Sequence, residues 1–154
     1  MHLSARRTAL RLASEPGYSA QDPSAVAALA ATLADAIESG TLANPAILVE
    51  HVTEFSGGEA ESPLDRLIRA AVRAEAFVVG EAESSTWGQA WQLGQPFKAA
   101  RQGLLLAPSD VDGDALFGLS LGRVKRADFP PGRGFTIHQG RARRLQVAVA
   151  DAPS

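Results

Sequence analysis

The stretch from Pro45 to Val79, PAILVEHVTEFSGGEAESPLDRLIRAAVRAEAFVV, decides the fold class. It begins with an uninterrupted apolar run at residues 46–49 and ends with another at 77–79. Short apolar runs of this kind are typical of strands buried on both faces of a sheet. Between them, Ser62-Pro63 is a helix start, and apolar residues then recur at helical spacing with arginines largely on the opposite side. Strand, helix and strand in succession predict a right-handed crossover with parallel strands.

The sequence on either side extends this alternation. Asp22-Pro23 supplies a cap and a proline at the first helical position, and the apolar spacing behind it predicts a helix over roughly 23–39. An interrupted helical stretch at 84–102 leads to a third strand at 104–106, and residues 2–4 are consistent with the tail of a further strand. We therefore expect an α/β fold in which a parallel sheet is flanked by helices.

The end of the chain has a different pattern. Phe135-Thr136-Ile137 is followed by a Gln139-Gly140 turn, and Leu145, Val147 and Val149 then alternate with other residues. Alternation on both sides of a glycine-containing turn predicts a β-hairpin, which we place at the edge of the sheet.

Composition limits the classes of function. The 154 residues suffice for a single domain, 1–154, and the absence of cysteine excludes disulfides, thiolate catalysis and cysteine zinc sites. The net charge of −2 argues against nucleic-acid binding. Residues 1–97 carry 6 arginines against 12 acids, a net −6, whereas 98–154 carry 9 basic against 5 acidic residues, a net +4. Such polarity is typical of two differently solvated faces, and it is also compatible with steered partners or head-to-tail association. No apolar segment predicts targeting or membrane contact.

Two short motifs match the patterns of functional sites only in part. Gly118 to Gly122 matches the G-x-S-x-G pattern around Ser120, but a predicted short helix rather than a strand precedes it, which favours a simple turn over a serine hydrolase. Asp110, Asp112 and Asp114 are spaced as in a calcium loop, yet Ala115 and Leu121 replace the required glycine and glutamate. We expect these aspartates to cap the short helix instead.

A metal site and a phosphate loop are also disfavoured. Glu50, His51 and Glu54 lie close in sequence, but neighbours on a strand point to opposite faces, so we expect no metal site there. No Gly-Lys pair occurs, and the chain therefore contains no phosphate-binding loop of the G-x-x-x-x-G-K-[ST] type.

Several segments together carry a family resemblance. They are Ile47 to His51, Phe77 to Glu81, Gln102 to Pro108, Asp112 to Gly118, Phe129 to Gly134 (FPPGRG) and Leu145 to Ala148 (LQVA), with Ser4 to Leu10 as a further match. In these segments the chain resembles the C-terminal part of an FtsK/SpoIIIE-type ATPase domain, particularly those of actinobacterial proteins and of the EccC motor of type VII secretion. The similarity covers roughly residues 45–150, and it implies a partial RecA-like P-loop NTPase fold.

The departures from the family pattern concern catalysis. The two acids that end the family's Walker B strand fall on Glu50 and His51, and the small polar sensor residue falls near Glu81, whose charge repels a γ-phosphate. The family's first strand and phosphate loop would lie before residue 1. The resemblance therefore implies either a fragment of a longer motor, cut after its phosphate loop, or a degenerate domain. In both cases we expect no hydrolysis of ATP by this chain alone, no bound ATP or magnesium, the cofactors of the parent family, and no confident catalytic residue.

The resemblance also implies a role in assembly. The leading hypothesis is a scaffold or substrate-docking module of a secretion motor, cytoplasmic or the cytosolic part of a membrane-anchored motor, with a groove of Trp87, Trp91 and Phe97 for an amphipathic helix. Its partners would be another protein, neighbouring ATPase domains, or a second copy bound through exposed strand edges. The alternative is a fragment of an FtsK-like DNA translocase that tracks phosphates with Arg141, Arg143 and Arg144.

Overall fold

A computed structural model describes residues 1–8, 10 and 14–148. It divides into two compact units, Met1–Pro96 and Phe97–Ser154. None of the helices in these described ranges is both long and apolar enough to cross a membrane.

The first unit contains a four-stranded parallel sheet. Its strands are β1 (His2–Ser4), β2 (Ser19–Ala20), β3 (Ala46–Glu50) and β4 (Phe77–Gly80), in the order β2-β1-β3-β4. The predicted α/β class with a parallel sheet is confirmed, as is the strand at residues 2–4. The two-residue strand β2 is too short to leave a periodic signal in the sequence.

Two helices connect these strands. Helix α1 (Pro23–Glu38) begins as predicted, because the Asp22 carboxylate accepts a hydrogen bond from the Ala25 N–H at 2.9 Å. Helix α2 (Glu61–Arg73) begins one residue before the predicted Ser62-Pro63 start, so the prediction of that cap is wrong. The helix begins earlier because Glu61 bonds to the Gly57-Gly58 loop before it. The Glu61 N–H donates to the Gly58 carbonyl, and the Glu61 carboxylate accepts from the Gly57 N–H.

The core of this unit lies on one face of the sheet. The two crossovers, β2 to β3 through α1 and β3 to β4 through α2, run in the same direction across the sheet, and right-handed crossovers place both helices on the same side. Leu3, Ile47 and Val49 point into this layer and are buried. From the helices, the large fully buried side chains are Val26, Leu33, Leu64, Leu67 and Ile68.

The opposite face of the sheet is only partly covered, so the expectation that the apolar strands are buried on both faces is wrong for β4. Phe77 is 69% exposed and Val79 is 38% exposed. Together with Met1, Ala46 and Leu48 they line a shallow apolar depression of about 290 Å³. The physical reason is that both described helices pack on the other face.

The second unit contains a three-stranded antiparallel sheet. Its strands β5 (Gly103–Leu106), β6 (Arg133–His138) and β7 (Arg141–Gln146) pair in that order, with helix α4 (Asp112–Phe117) between the first two. Helix α3 (Trp91–Ala100) precedes them. The expectation that residues 104–106 add a third strand to the parallel sheet is wrong, because β5 pairs antiparallel with β6.

The hairpin β6–β7 confirms the prediction from the alternating residues, but its placement at the edge of the parallel sheet is wrong, because β6 pairs with β5 in a separate antiparallel sheet. Gln139 and Gly140 have φ angles of +49° and +73°, as a two-residue type I′ turn requires. Strand β7 forms an edge, Val147 follows it, and Val149 lies outside the described residues. The small core below the sheet consists of Leu105, Phe129, Phe135 and Ile137.

Gly134 explains how β5 can pair so closely. An ideal Cβ at this position would lie 2.0 Å from the carbonyl oxygen of Leu105 on β5. Only glycine therefore permits this approach of the two backbones. Phe129 packs against this sheet, and its ring centroid lies 5.2 Å from that of Phe135. The Arg144 guanidinium lies over the Phe129 ring, 5.6 Å from its centroid.

Candidate functional site

The carboxyl ends of β1 and β3 form a topological switch point. From β1 the chain moves to β2 on one side, and from β2 it returns across β1 to β3 on the other side. Open parallel sheets hold ligands at such a point, outside the carboxyl ends of the strands. Ser4 and Glu50 are register partners at these two ends. The candidate site is therefore built around them.

Glu50 is held by two donors from the chain itself. One of its carboxylate oxygens, Oε2, lies 2.6 Å from His2 Nε2 and accepts a hydrogen bond from Thr8 Oγ1 at 2.7 Å. The other ring nitrogen, His2 Nδ1, lies 3.1 Å from the Ser19 hydroxyl. The Glu50 side chain is 12% exposed and that of His2 is 3% exposed. The ionised carboxylate has no proton to give, so His2 Nε2–H donates to Glu50.

This environment favours the ionised form of Glu50. Burial acts to raise its pKa, but the hydrogen bonds from Thr8 and His2 and the charges of His2 and His51 outweigh burial. The pKa of Glu50 is consequently below that of an ordinary glutamate. Oε2 of Glu50 therefore already accepts hydrogen bonds from two side chains of the protein, those of His2 and Thr8.

His51 lies just beyond the end of β3 in a left-handed conformation, with φ of 56° and ψ of 40°. Its ring nitrogen Nδ1 lies 3.2 Å from Ser4 Oγ, and its backbone N–H donates to Glu81 Oε2 at 3.1 Å. The expectation that Glu50 and His51 point to opposite faces is wrong, because strand alternation ends at Glu50. The structure thus brings together Glu50, His51 and Glu81, the three positions that the resemblance singles out.

The charges around this strand end are mainly negative. Glu54 pairs with Arg6 at 2.5 Å, and the charge of Glu83 also acts on Arg6 and raises its pKa, although less than the hydrogen bond and charge of Glu54. Among the residues that the structure describes, no three histidine, aspartate or glutamate side chains converge as a metal site requires. Ser4 is buried, and its hydroxyl is engaged by His51 and by the Arg6 N–H. The polar side chains at this strand end therefore bond mainly to one another and form a hydrogen-bonded network.

An open polar cleft of about 660 Å³ adjoins this network. Thr8 and Ser19 line it together with Arg7, Gln21 and Asp22. Asp22 caps α1 there, and the Gln21 side-chain amide donates to the Thr8 carbonyl at 3.1 Å. None of the residues predicted from the sequence as site residues lines this cleft.

The aromatic residues predicted to form a groove lie in different settings. Trp91 is the first residue of α3 and is 72% exposed. Trp87 precedes the helix and packs its ring on Gly94, where an ideal Cβ would lie 3.4 Å from Cε3 of the indole. Phe97 is half-buried and belongs to the second unit. The interruption predicted within residues 84–102 is confirmed, and it separates the two tryptophans.

The remaining motifs have structural roles. Ser120 accepts a hydrogen bond from the Gly122 N–H at 3.2 Å in an irregular segment, and no strand precedes it there as a nucleophile elbow requires. The N-cap of α4 is Val111, so the expectation that aspartates cap this helix is wrong. Asp112 instead accepts from the Ser109 N–H at 2.7 Å, and Asp110 accepts from the Val124 N–H at 2.6 Å.

Sequence reasoning missed His2, Thr8 and Ser19. His2 and Thr8 hydrogen-bond to a residue more than 40 positions away, and Ser19 lies on a two-residue strand, so no local motif connects them. The one available signal was the presence of polar residues within and beside an otherwise apolar parallel sheet.

Comparison with known proteins gave no match to a family model, to a curated protein or to a solved structure.

Proposed function

We propose that this chain is a non-hydrolysing FtsK/SpoIIIE-type ATPase-fold module of a secretion motor, with a scaffold or docking role for a protein partner. The observation that carries the proposal is the state of Glu50. This residue occupies the position that the resemblance assigns to a Walker B acid, yet one of its oxygens accepts from His2 and Thr8. A magnesium-binding carboxylate needs its oxygens directed at the ion or its waters.

Electrostatics at the strand ends support a role without nucleotide. Glu50 and Glu81 lie within the hydrogen-bonded network, and Glu54 lies beside it. Arg6, the cation on this network, is bound to Glu54. Phosphate groups are held by backbone N–H groups, lysine or arginine. An anionic surface at this end repels a triphosphate.

Exposed apolar side chains support a docking role. Phe77 and Val79 are exposed and line one apolar depression of the first unit, where Trp91 is also exposed, and clustered apolar surface marks interaction sites. Strand β4, with the sequence FVVG, is an outer strand of the sheet and carries no charge that would guard its edge. We propose that a protein partner, a neighbouring ATPase domain or a second copy binds at β4, and that Trp87 and Trp91 of the same unit contribute a surface for an amphipathic helix.

Calorimetry with Mg-ATP tests the loss of nucleotide binding. We expect no binding heat beyond that of magnesium and ATP titrated separately, and no release of phosphate over time. Micromolar binding that is lost in Glu50→Ala but kept in Glu54→Ala would refute the proposal, because it would show that Glu50 holds a metal nucleotide.

The docking role has a separate test on the purified chain and a helical partner. Trp91→Ala should weaken the complex, whereas Val111→Ala, which removes an equally exposed apolar side chain from the second unit, should not. A complex that is indifferent to Trp91→Ala would count against the aromatic surface.

One observation favours a second candidate, a fragment of a DNA translocase. Arg141, Arg143 and Arg144 lie on the edge strand β7, and the first two are exposed on one side of the hairpin. Binding to duplex DNA that falls steeply with salt would support this candidate. Absence of a shift with duplex DNA would dismiss it.

A further inference from the structure

The outer face of the three-stranded sheet carries two parallel stripes of different chemistry. Leu104 and Leu106 on β5 are 54% and 46% exposed. Arg141 and Arg143 on β7 are also exposed, and the register places Leu104, Thr136 and Arg143 in one row across the sheet. We call this surface the Leu–Arg face, defined by Leu104, Leu106, Thr136, Arg141 and Arg143.

The dimensions of the Leu–Arg face follow from sheet geometry. Adjacent strands lie about 4.8 Å apart, so the leucine stripe and the arginine stripe are separated by about 10 Å. Residues two positions apart on a strand are separated by about 7 Å along each stripe. Gly134 and Thr136 occupy the middle of the central strand, so the floor is low there, whereas His138 ends this strand beside Arg141 and the half-buried Leu145 continues the arginine stripe. An α-helix is about 10 Å across with its side chains, and residues four apart lie about 6 Å apart along its axis.

The charges of this face are not neutralised within the described part of the chain. Arg141 and Arg143 form no ion pair there, whereas Arg66, Arg69 and Arg73 of the first unit all pair with acids. The second unit has 9 basic against 5 acidic residues. The arginines also lie on an edge strand, where charged side chains discourage the addition of a further strand. A helix lying on the face is therefore favoured over a strand added to the edge.

We propose that the Leu–Arg face docks an acidic amphipathic helix of a protein partner. Aliphatic side chains of the helix contact Leu104 and Leu106, and carboxylates on its flank pair with Arg141 and Arg143. This inference rests on the proposed docking function and names the chemistry of the partner. The exposed leucine stripe on β5 distinguishes the face from a nucleic-acid surface, which combines cations with aromatic platforms.

Fluorescence anisotropy with designed probes tests the proposal on the full chain. The probe is a fluorescein-labelled helical peptide of about 18 residues, with leucines on one face and glutamates beside them, at ~1.5 Å rise per residue. A peptide with lysine in place of glutamate and a single-stranded oligonucleotide serve as competitors. We expect Arg141→Glu with Arg143→Glu to weaken binding of the acidic peptide at least about tenfold, which corresponds to ~1.4 kcal/mol.

The control is Lys125→Glu with Arg126→Glu, which changes the net charge equally at exposed residues outside the face. Binding that persists in this control and falls in the arginine variant and in Leu104→Ser with Leu106→Ser would support the proposal. The proposal is overturned if the chain does not bind the acidic peptide, if both charge variants weaken binding equally, or if the oligonucleotide binds more tightly. Self-association that the arginine variant abolishes would also overturn it, since the occupant would then be a second copy. None of these results depends on Mg-ATP binding, so the two proposals fail separately.

Discussion

Replacing Glu50 by glutamine tests whether the polar network at the switch point stabilises the first unit. The amide keeps an oxygen that His2 or Thr8 can donate to, but it removes the negative charge. Hydrogen bonds to charged groups contribute about 1.5–3 kcal/mol each and neutral ones about 0.5–1.5 kcal/mol. Two such bonds meet at Oε2, at 2.6 and 2.7 Å. We therefore expect Glu50→Gln to lower the free energy of unfolding by ~2 kcal/mol at neutral pH.

The cost of this substitution should depend on pH in a defined direction. The pKa of Glu50 is lowered in the folded chain, although burial opposes the hydrogen bonds and charges that lower it. A group with a lowered folded pKa stabilises the fold fully above its unfolded pKa, and this stabilisation is lost as pH falls through the folded pKa. The part of this difference that comes from the Glu50 carboxylate should thus be present above the ordinary glutamate pKa of about 4.3 and should shrink as pH falls below it.

Urea denaturation across this pH range, followed by tryptophan fluorescence, provides the assay because both tryptophans lie in the first unit. Glu54→Gln is the matched control, since the exposed Glu54–Arg6 pair should contribute less than about 1 kcal/mol. A Glu50→Gln cost that stays the same at every pH, or that does not exceed the cost of Glu54→Gln, would refute the reasoning.

Two further substitutions test the packing of each unit. Gly134→Ala should destabilise the three-stranded sheet by about 1–3 kcal/mol, because its Cβ would meet the Leu105 carbonyl. Thr136→Ala, on the same strand, should have little effect. The rate of amide hydrogen exchange at Phe135 and Ile137 measures the stability of the sheet in both variants. Equal exchange in the two variants would contradict this account. Arg66→Ala removes the exposed links from α2 to Asp35 and Glu38 on α1, and its small loss of thermal stability should disappear at about 1 M salt. A loss that persists at high salt would show that Arg66 acts through packing.

The sequence was sufficient where local chemistry determines the structure. Asp22-Pro23 predicted the start of α1, because capping and proline geometry act within one turn. The apolar runs predicted β3 and β4, and Gln139-Gly140 predicted the hairpin turn. Each of these features depends on residues that are neighbours in the chain.

The predictions that were wrong depended on distant partners. Residues 104–106 are apolar in the manner of a parallel strand, but β5 pairs with β6 because Gly134 permits their close approach. An apolar run predicts a strand but does not show whether both faces of that strand are covered, and Phe77 on β4 is in fact exposed. His51 was placed by strand alternation, which ends one residue earlier at a left-handed turn. The contacts of Glu50 with His2 and Thr8 join segments more than 40 residues apart, beyond the range of any spacing rule.

The distribution of charge gives these observations a common physical basis. The change in sequence from a net −6 to a net +4 occurs at the boundary between the two compact units. At the switch point of the first unit, His2 and Thr8 hydrogen-bond to Glu50, while Glu81 and Glu54 bond to His51 and Arg6 nearby. In the second unit, arginines lie exposed beside leucines on an open sheet face. An anionic strand end disfavours phosphate, and a cationic face favours carboxylates. A protein partner with acidic side chains would pair with the arginines of the second unit and would need no contact with the strand ends of the first unit. The two proposals can therefore be tested independently.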